Sequence, residues 1–292
     1  MTMIYLYDHN HPKMKAGIRM YGHSEALHNP KVAGKYELLL GIKTLDYEIK
    51  ELTRFSKSCC ECYSLLKERI DKLCRFMTDE DNENLWLLYG FHDDVRAHAQ
   101  RLRESSAQAV CDMEKYHSLC LCDEGRTIFE YLSTLSDSVK EEFVRCRIDE
   151  TSNVLFIGSG AFPLSALTIA KETGASVLGL DIDTEAVRLS NKIAEASGLR
   201  ENVRFSGVRI REIDSIREVT HVIIASLVPQ KKELLDELKS IVDPNAKIIV
   251  RYGNGLKSVF NYPMEGVPDD AWIPRELPSC GKLYDAVLFS QK

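Results

Sequence analysis

The sequence predicts an α/β fold in which a doubly wound, mostly parallel sheet follows an α-helical domain. Three observations carry this expectation. Apolar runs alternate with helix-period segments from Asn153 onward, and from Val32 to Phe143 apolar residues recur at helical spacing with no proline. The third is size, since 292 residues at 44% hydrophobic composition suffice for two modest cores. The expected boundary lies in the connector Arg147 to Asn153. It leaves an N-terminal arm and helical domain over 1–148 and an α/β domain over 149–292.

The arm comes first, with His9, His11, His23 and His28 set among Asn, Pro, Gly and Lys. It reads as a solvated segment, a lid or a dimer contact. Tyr36, Leu39, Ile42, Leu45, Ile49 and Leu52 then mark one long amphipathic helix. Cys62 to Phe76, Glu83 to Phe91, Val95 to about Tyr116, and Thr127 to Phe143 continue the helical pattern, with a break at Asp79 to Asn84. Val154 to Ile157 is a continuous apolar run, as expected of a strand covered on both faces. After Gly158-Ser159-Gly160 a helix runs from Pro163 through Leu164, Leu167 and Ala170 to Gly174, with proline in its first turn and glycine past its end. Val177 to Leu180 is the second strand, closed by Asp181, and Asp183 caps a helix through Ala186, Leu189 and Ile193. Further strands are expected at Val203 to Phe205, His221 to Ala225, Lys247 to Val250 and Lys282 to Ser290. Pro229 to Val242 reads as a charged surface helix.

Chemistry concentrates around the glycine turn. A G-x-G between strand and helix, with an acid at the end of the next strand about 20 residues on, suits a ribose-bearing ligand, because the carboxylate accepts hydrogen bonds from ribose hydroxyls. Pro163 stands where the dinucleotide fingerprint places its third glycine, which argues against NAD. S-adenosylmethionine carries no pyrophosphate and needs only backbone room and the ribose acid, which Gly158, Ser159, Gly160, Pro163 and Asp181 offer. Asp183 either shares the ribose or simply caps its helix. Ligands of such sheets bind outside the carboxyl ends of the strands, so Ser226 and the stretch Arg251-Tyr252-Gly253-Asn254-Gly255 belong to the same rim. The summary fold class is a Rossmann-like, S-adenosylmethionine-dependent transferase domain behind a helical one.

Composition excludes several classes. A formal net charge of −6 gives no basic field for nucleic acid. No run approaches the roughly 20 apolar residues of a membrane span, and the N-terminus lacks a signal-peptide core, so a cytoplasmic protein is expected. The nine cysteines are odd in number, and Cys59 and Cys62 form a C-x2-C pair with no second pair to complete it. Buried or incidental thiols are expected, and no metal site.

Three stretches carry a family resemblance: EEFVRC, GSGAFPLSALTIAKETGASVLGLDIDTEAV and RYGNGLKSVFNYP. They resemble the bacterial relatives of nicotianamine synthase, and more closely the histidine 2-aminobutanoyltransferases of opine metallophores such as staphylopine and pseudopaline. The resemblance is specific over Glu141 to Pro263, looser over the helical domain and absent from the arm. It implies a helical domain capping a Rossmann-like one with S-adenosylmethionine between them. It implies transfer of the 3-amino-3-carboxypropyl group to the α-amine of histidine, with 5'-methylthioadenosine leaving and an opine dehydrogenase finishing the product.

Glu114, in SAQAVCDMEKY, stands where the resemblance puts the family's acidic residue. A carboxylate of ordinary pKa, about 4.3, is a poor base for an ammonium group, so Glu114 must be raised by burial or act by orienting the amine. The family's downstream tyrosine is replaced or displaced in Thr127-Ile128-Phe129-Glu130-Tyr131, leaving Tyr131 or Tyr116 for that role. Arg251 suits a substrate carboxylate by its fork geometry, and Tyr252, Asn254, Asn261 and Tyr262 are expected to line the pocket. Two other readings stay open: a small-molecule methyltransferase, and a non-catalytic module binding S-adenosylmethionine or metal.

Overall fold

A computed structural model describes residues 30–124, 137–264, 271–277 and 283–292. Four helices come first: α1 (Pro30–Ser56), α2 (Cys62–Met77), α3 (Glu80–Tyr89) and α4 (Asp93–Glu124). Leu38, Ile42, Leu45 and Ile49 of α1 meet Leu66, Ile70 and Leu73 of α2 and Val95, Ala99 and Leu102 of α4 in one buried core. The expected break before α3 is shorter than the sequence pattern suggests. Asp79 is the N-cap, its side chain accepting from Asn82 N at 3.0 Å, so the polar stretch after it is the helix's first turn. At 32 residues, α4 spans about 48 Å and reaches well beyond the bundle.

Helix α5 (Asp137–Cys146) leads into the alternating half: β1 (Asn153–Ile157), α6 (Leu164–Thr173), β2 (Ser176–Leu180), α7 (Thr184–Ala196), β3 (Val203–Ser206), β4 (His221–Ile224), α8 (Lys231–Ile241), β5 (Lys247–Tyr252), β6 (Trp272–Leu277) and β7 (Asp285–Gln291). The sheet order is β3-β2-β1-β4-β5-β7-β6. The first five strands are parallel, and β7 runs antiparallel to both β5 and β6. Strand order reverses between β1 and β4, which puts a topological switch point beside the glycine turn.

Alternation along the strands sends Phe156, Ile223 and Ile249 to a core shared with α5, α6 and α7. Leu155, Val222, Ile248 and Val250 go to the opposite core, which Leu235 and Leu238 of α8 close. The expected last strand at Lys282 begins at Asp285, and β6 was not anticipated from the sequence. Leu256 and Val259, in the short turn after β5, are buried in the core of the helical half, so the two halves share apolar packing. Among the described residues no helix is long and apolar enough to cross a membrane.

Candidate active site

The turn after β1 is built by backbone geometry that only glycine takes easily. Gly158 and Gly160 have φ of 81° and 71°, and the amides of Gly158 and Ser159 both donate to the Leu180 carbonyl, at 2.8 and 3.0 Å. A Cβ on Gly158 would overlap Val228, and one on Gly160 would overlap the Glu114 carboxylate. Pro163 is the N-cap of α6, one position before the helix, and Gly174 closes that helix at φ 76°.

Asp181 follows β2 as expected. Its Oδ2 accepts the Gly160 amide at 2.8 Å and its Oδ1 the Asp183 amide at 3.0 Å. A carboxylate has about four acceptor positions, so each oxygen keeps room for a hydroxyl. Asp183 caps α7 through the amides of Glu185 and Ala186, at 2.9 and 3.3 Å, and its Oδ2 lies 2.6 Å from Lys115 Nζ. Lys115 also pairs with Glu185 at 3.1 Å, and that paired side chain holds the Asp183 carboxyl below its usual range.

Helix α4 brings Glu114 onto this turn. Its Oε2 accepts the Ala161 amide at 3.1 Å, and one helical turn on, Ser118 Oγ donates to the Ala161 carbonyl at 2.8 Å. Both polar groups of one peptide residue are thereby held by a single helix. Burial pushes the Glu114 carboxyl up to about 8, against the pull of the Phe162 and Ala161 amides, and the charge of Asp181 adds to the rise. A carboxyl raised by burial therefore stands at the glycine turn.

Two groups of rim residues separate. Tyr262 and Ser226 lie together, the Tyr262 amide donating to the Ser226 carbonyl at 3.0 Å and the Gly253 amide to the Tyr262 carbonyl at 3.2 Å. Asn261 is buried and ties the loop through the carbonyls of Lys257 and Leu283, at 3.3 and 2.7 Å. Asn254 is exposed and accepts the Met264 amide at 3.2 Å, while Tyr252 packs against the α8-side core. Arg251 points to the opposite face of β5. Its Nε reaches both oxygens of Glu142 at 3.1 Å and its Nη1 reaches Ser165 Oγ at 2.9 Å. The carboxylate it clamps in this structure is the protein's own, although its buried Nη2 has no hydrogen-bond partner among the described residues.

Residues 97–271 match the nicotianamine synthase protein family. An L-histidine 2-aminobutanoyltransferase of Pseudomonas aeruginosa is 34% identical over 258 residues, covering 88% of this chain and 98% of that protein. The chain belongs to the nicotianamine synthase family. A relative of the same name from Yersinia pestis is 32% identical over 261 residues, covering 87% of this chain and 96% of that one. Among solved structures, a mutant of MtNAS superposes with a TM-score of 0.72 at 17% identity, covering 86% of this chain and 97% of that one. MtNAS in complex with MTA and tNA gives 0.68 at 18% identity, covering 84% and 97%. These structures share the fold described above.

Within this nicotianamine synthase family member, Tyr131 lies outside the described residues. Tyr116 stacks on Tyr63, with ring centroids 4.1 Å apart and planes within 10°. The expected metal-free reading of the cysteines concerns exposed as well as buried thiols, since Cys60 is exposed and Cys146 buried. No group of three or more His, Cys, Asp or Glu suited to a metal occurs among the described residues.

Sequence reasoning missed Lys115, Ser118 and Lys231. The first two carry no signal beyond their spacing from Glu114. The third was hidden in a charged run read as a solvated helix face. In the structure Lys231 is only 2% exposed, at the start of α8.

Proposed function

We propose that this chain transfers the 3-amino-3-carboxypropyl (2-aminobutanoyl) group of S-adenosylmethionine to the α-amine of histidine, releasing 5'-methylthioadenosine (MTA). The observation that carries the reading is Glu114, a desolvated carboxyl with a value near 8 laid by α4 directly on the glycine turn. Relatives named for this activity, aligned over nearly their whole length, support it.

The turn suits the donor. Gly158 and Gly160 keep the backbone open where a Cβ would collide, and Asp181 presents acceptor positions at the end of β2 for ribose hydroxyls. S-adenosylmethionine supplies a sulfonium that activates three carbons. Selection among them is positional, and the protein must hold the acceptor amine in line behind the chosen C–S bond, at about 3 to 3.5 Å. The amine attacks only when neutral. Histidine that enters with its amine neutral needs no proton removed beforehand, and a carboxyl raised by burial is a stronger proton acceptor than an ordinary one. As the C–N bond forms and the C–S bond breaks, ionised Glu114 takes the surplus N–H proton and the bond's electron pair stays on the sulfur of MTA.

In this reading the product is a metallophore precursor whose free amine an opine dehydrogenase completes, in the cytoplasm. Incubation with S-adenosylmethionine and each histidine enantiomer, followed by mass spectrometry, tests the reaction. MTA and an aminobutanoyl adduct of histidine are expected. S-adenosylhomocysteine with a methylated product would establish methyl transfer in its place.

A further inference from the structure

Every amide from Gly158 to Leu164 already has an acceptor within the protein. Gly158 and Ser159 donate to the Leu180 carbonyl, Gly160 to Asp181 Oδ2, and Leu164 to the Phe162 carbonyl at 2.8 Å. Pro163 has no amide to offer. The two that remain, those of Ala161 and Phe162, both go to the Glu114 carboxylate, the first at 3.1 Å to Oε2. Backbone donors of the turn are thus all taken before any ligand arrives.

Two successive amides just ahead of a helix make a seat for an anion, because their N–H groups converge and the helix dipole adds a partial positive charge. Helix α6 begins directly beyond them, and its N-cap, Pro163, supplies no side-chain acceptor. In this structure the seat holds a carboxylate delivered by α4. Gly160 makes the room for it, since a Cβ there would overlap Glu114 Oε2. Ser118, one turn further along α4, holds the Ala161 carbonyl at 2.8 Å, so the helix grips the occupied peptide from both sides. The donor of the proposed reaction brings a carboxylate of its own. Were the seat open, that group could dock on the turn and tie down the very arm that has to be transferred.

Resting on the reading of the previous section, we propose that Glu114 is a specificity-determining residue for the donor: by occupying the Ala161 and Phe162 amides it excludes the donor's α-carboxylate from the glycine turn and keeps the aminocarboxypropyl arm free for transfer. This role is separate from proton transfer. A glutamate that served only as a proton acceptor would have no bearing on where the donor's carboxylate sits.

The probes are S-adenosylmethionine and its decarboxylated analogue, which keeps the sulfonium and the amine and lacks only the carboxylate. Glu114→Ala empties the seat, and Glu114→Ser stands in if that variant fails to fold. Glu114→Gln removes the charge but leaves the seat filled, which separates occupation from simple repulsion. Calorimetric titration of each protein, with no acceptor present, gives the ratio of the two affinities. Relative to wild type, the preference for the carboxylated donor is expected to rise about tenfold or more in Glu114→Ala, through charge-assisted hydrogen bonds to the vacated amides, and to stay within about threefold in Glu114→Gln. Acetate, a free carboxylate, should then weaken S-adenosylmethionine binding to Glu114→Ala and not that of the analogue. A preference unchanged in Glu114→Ala, or raised equally in Glu114→Gln, overturns the proposal. Failure of the wild-type protein to transfer to histidine would overturn the proposed reaction instead, while these ratios still decide which carboxylate the turn holds.

Discussion

Glu114 is where residue-scale chemistry can be tested most directly. Its carboxyl stands near 8, so kcat/KM for histidine is expected to rise by at least tenfold per pH unit below 8, deprotonation of the acceptor amine adding to that of Glu114. The bound sulfonium is a nearby positive charge that favours the ionised carboxylate, so the inflection in kcat is expected at lower pH than that in kcat/KM. Glu114→Gln keeps an acceptor for the Ala161 amide but no base. It is expected to retain donor affinity while losing about 10² to 10⁴ in turnover, and full turnover would remove Glu114 from the mechanism. Stability moves the other way. The group's folded value exceeds the ordinary 4.5, so its contribution is complete below that value and is lost as pH rises through about 8. Glu114→Gln is spared that loss, so its melting temperature should gain on wild type between pH of about 5 and about 8.5, as thermal unfolding at both would register. Asp181→Ala, by contrast, is expected to weaken S-adenosylmethionine binding itself, because the Gly160 amide loses its acceptor and the proposed ribose contact is lost with it.

At the scale of elements, α4 decides the site. Glu114, Lys115 and Ser118 reach the Ala161 backbone and the start of α7 from within little more than one helical turn, so the register of one helix sets the geometry of two loops. Asp183 gives a clean test, because a cap and an ion pair can be separated there. Asp183→Asn retains the cap and drops the pairing with Lys115, whereas Asp183→Ala loses both and should cost about 0.5 to 2 kcal/mol more in denaturant unfolding. Donor affinity unchanged in Asp183→Asn would assign the residue to capping; a clear loss would point to ribose contact. The β1 to β2 unit was legible in the sequence because continuous apolar runs, a proline near one helix end and a glycine past the other are local signals. Strand β6 was not, since WIPREL holds a proline and two charges, and only Trp272 and Leu277 of it are buried. Glu114 alone is one glutamate on a charged helix and became visible only through the family resemblance. Arg251 and Tyr262 sit near each other in sequence, but strand alternation turns Arg251 towards Glu142, away from the Tyr262 rim, a separation no motif records. The burial of Lys231 was equally hidden, because a charged pair at a helix start reads as solvated until the loop around it is known.

For the whole molecule, the shared packing of Leu256 and Val259 makes a prediction about cooperativity. These side chains belong by sequence to the sheet half and by contact to the helical core, next to α4, which itself carries Glu114 across to the glycine turn. Neither half then buries its surface alone, and the two should unfold together. The sequence supplies a reporter for each, since the chain has two tryptophans, Trp86 in α3 and Trp272 in β6. Trp86→Phe leaves the sheet reporter and Trp272→Phe the helical one. Fluorescence-detected denaturation of each variant, checked against circular dichroism of the same sample, is expected to give coincident transitions. Leu256→Ala, introduced into both backgrounds, should shift both reporters by the same amount, about 2 to 5 kcal/mol for a buried leucine. Donor binding should do the same in the stabilising direction, by about 2.7 kcal/mol at a ligand concentration of 100 times Kd, because S-adenosylmethionine would bind only when the turn and α4 are docked. If the reporters separate, or if ligand moves the Trp272 transition and leaves that of Trp86 in place, the halves fold independently, and Glu114 would then reach the glycine turn only through a closure step that precedes transfer.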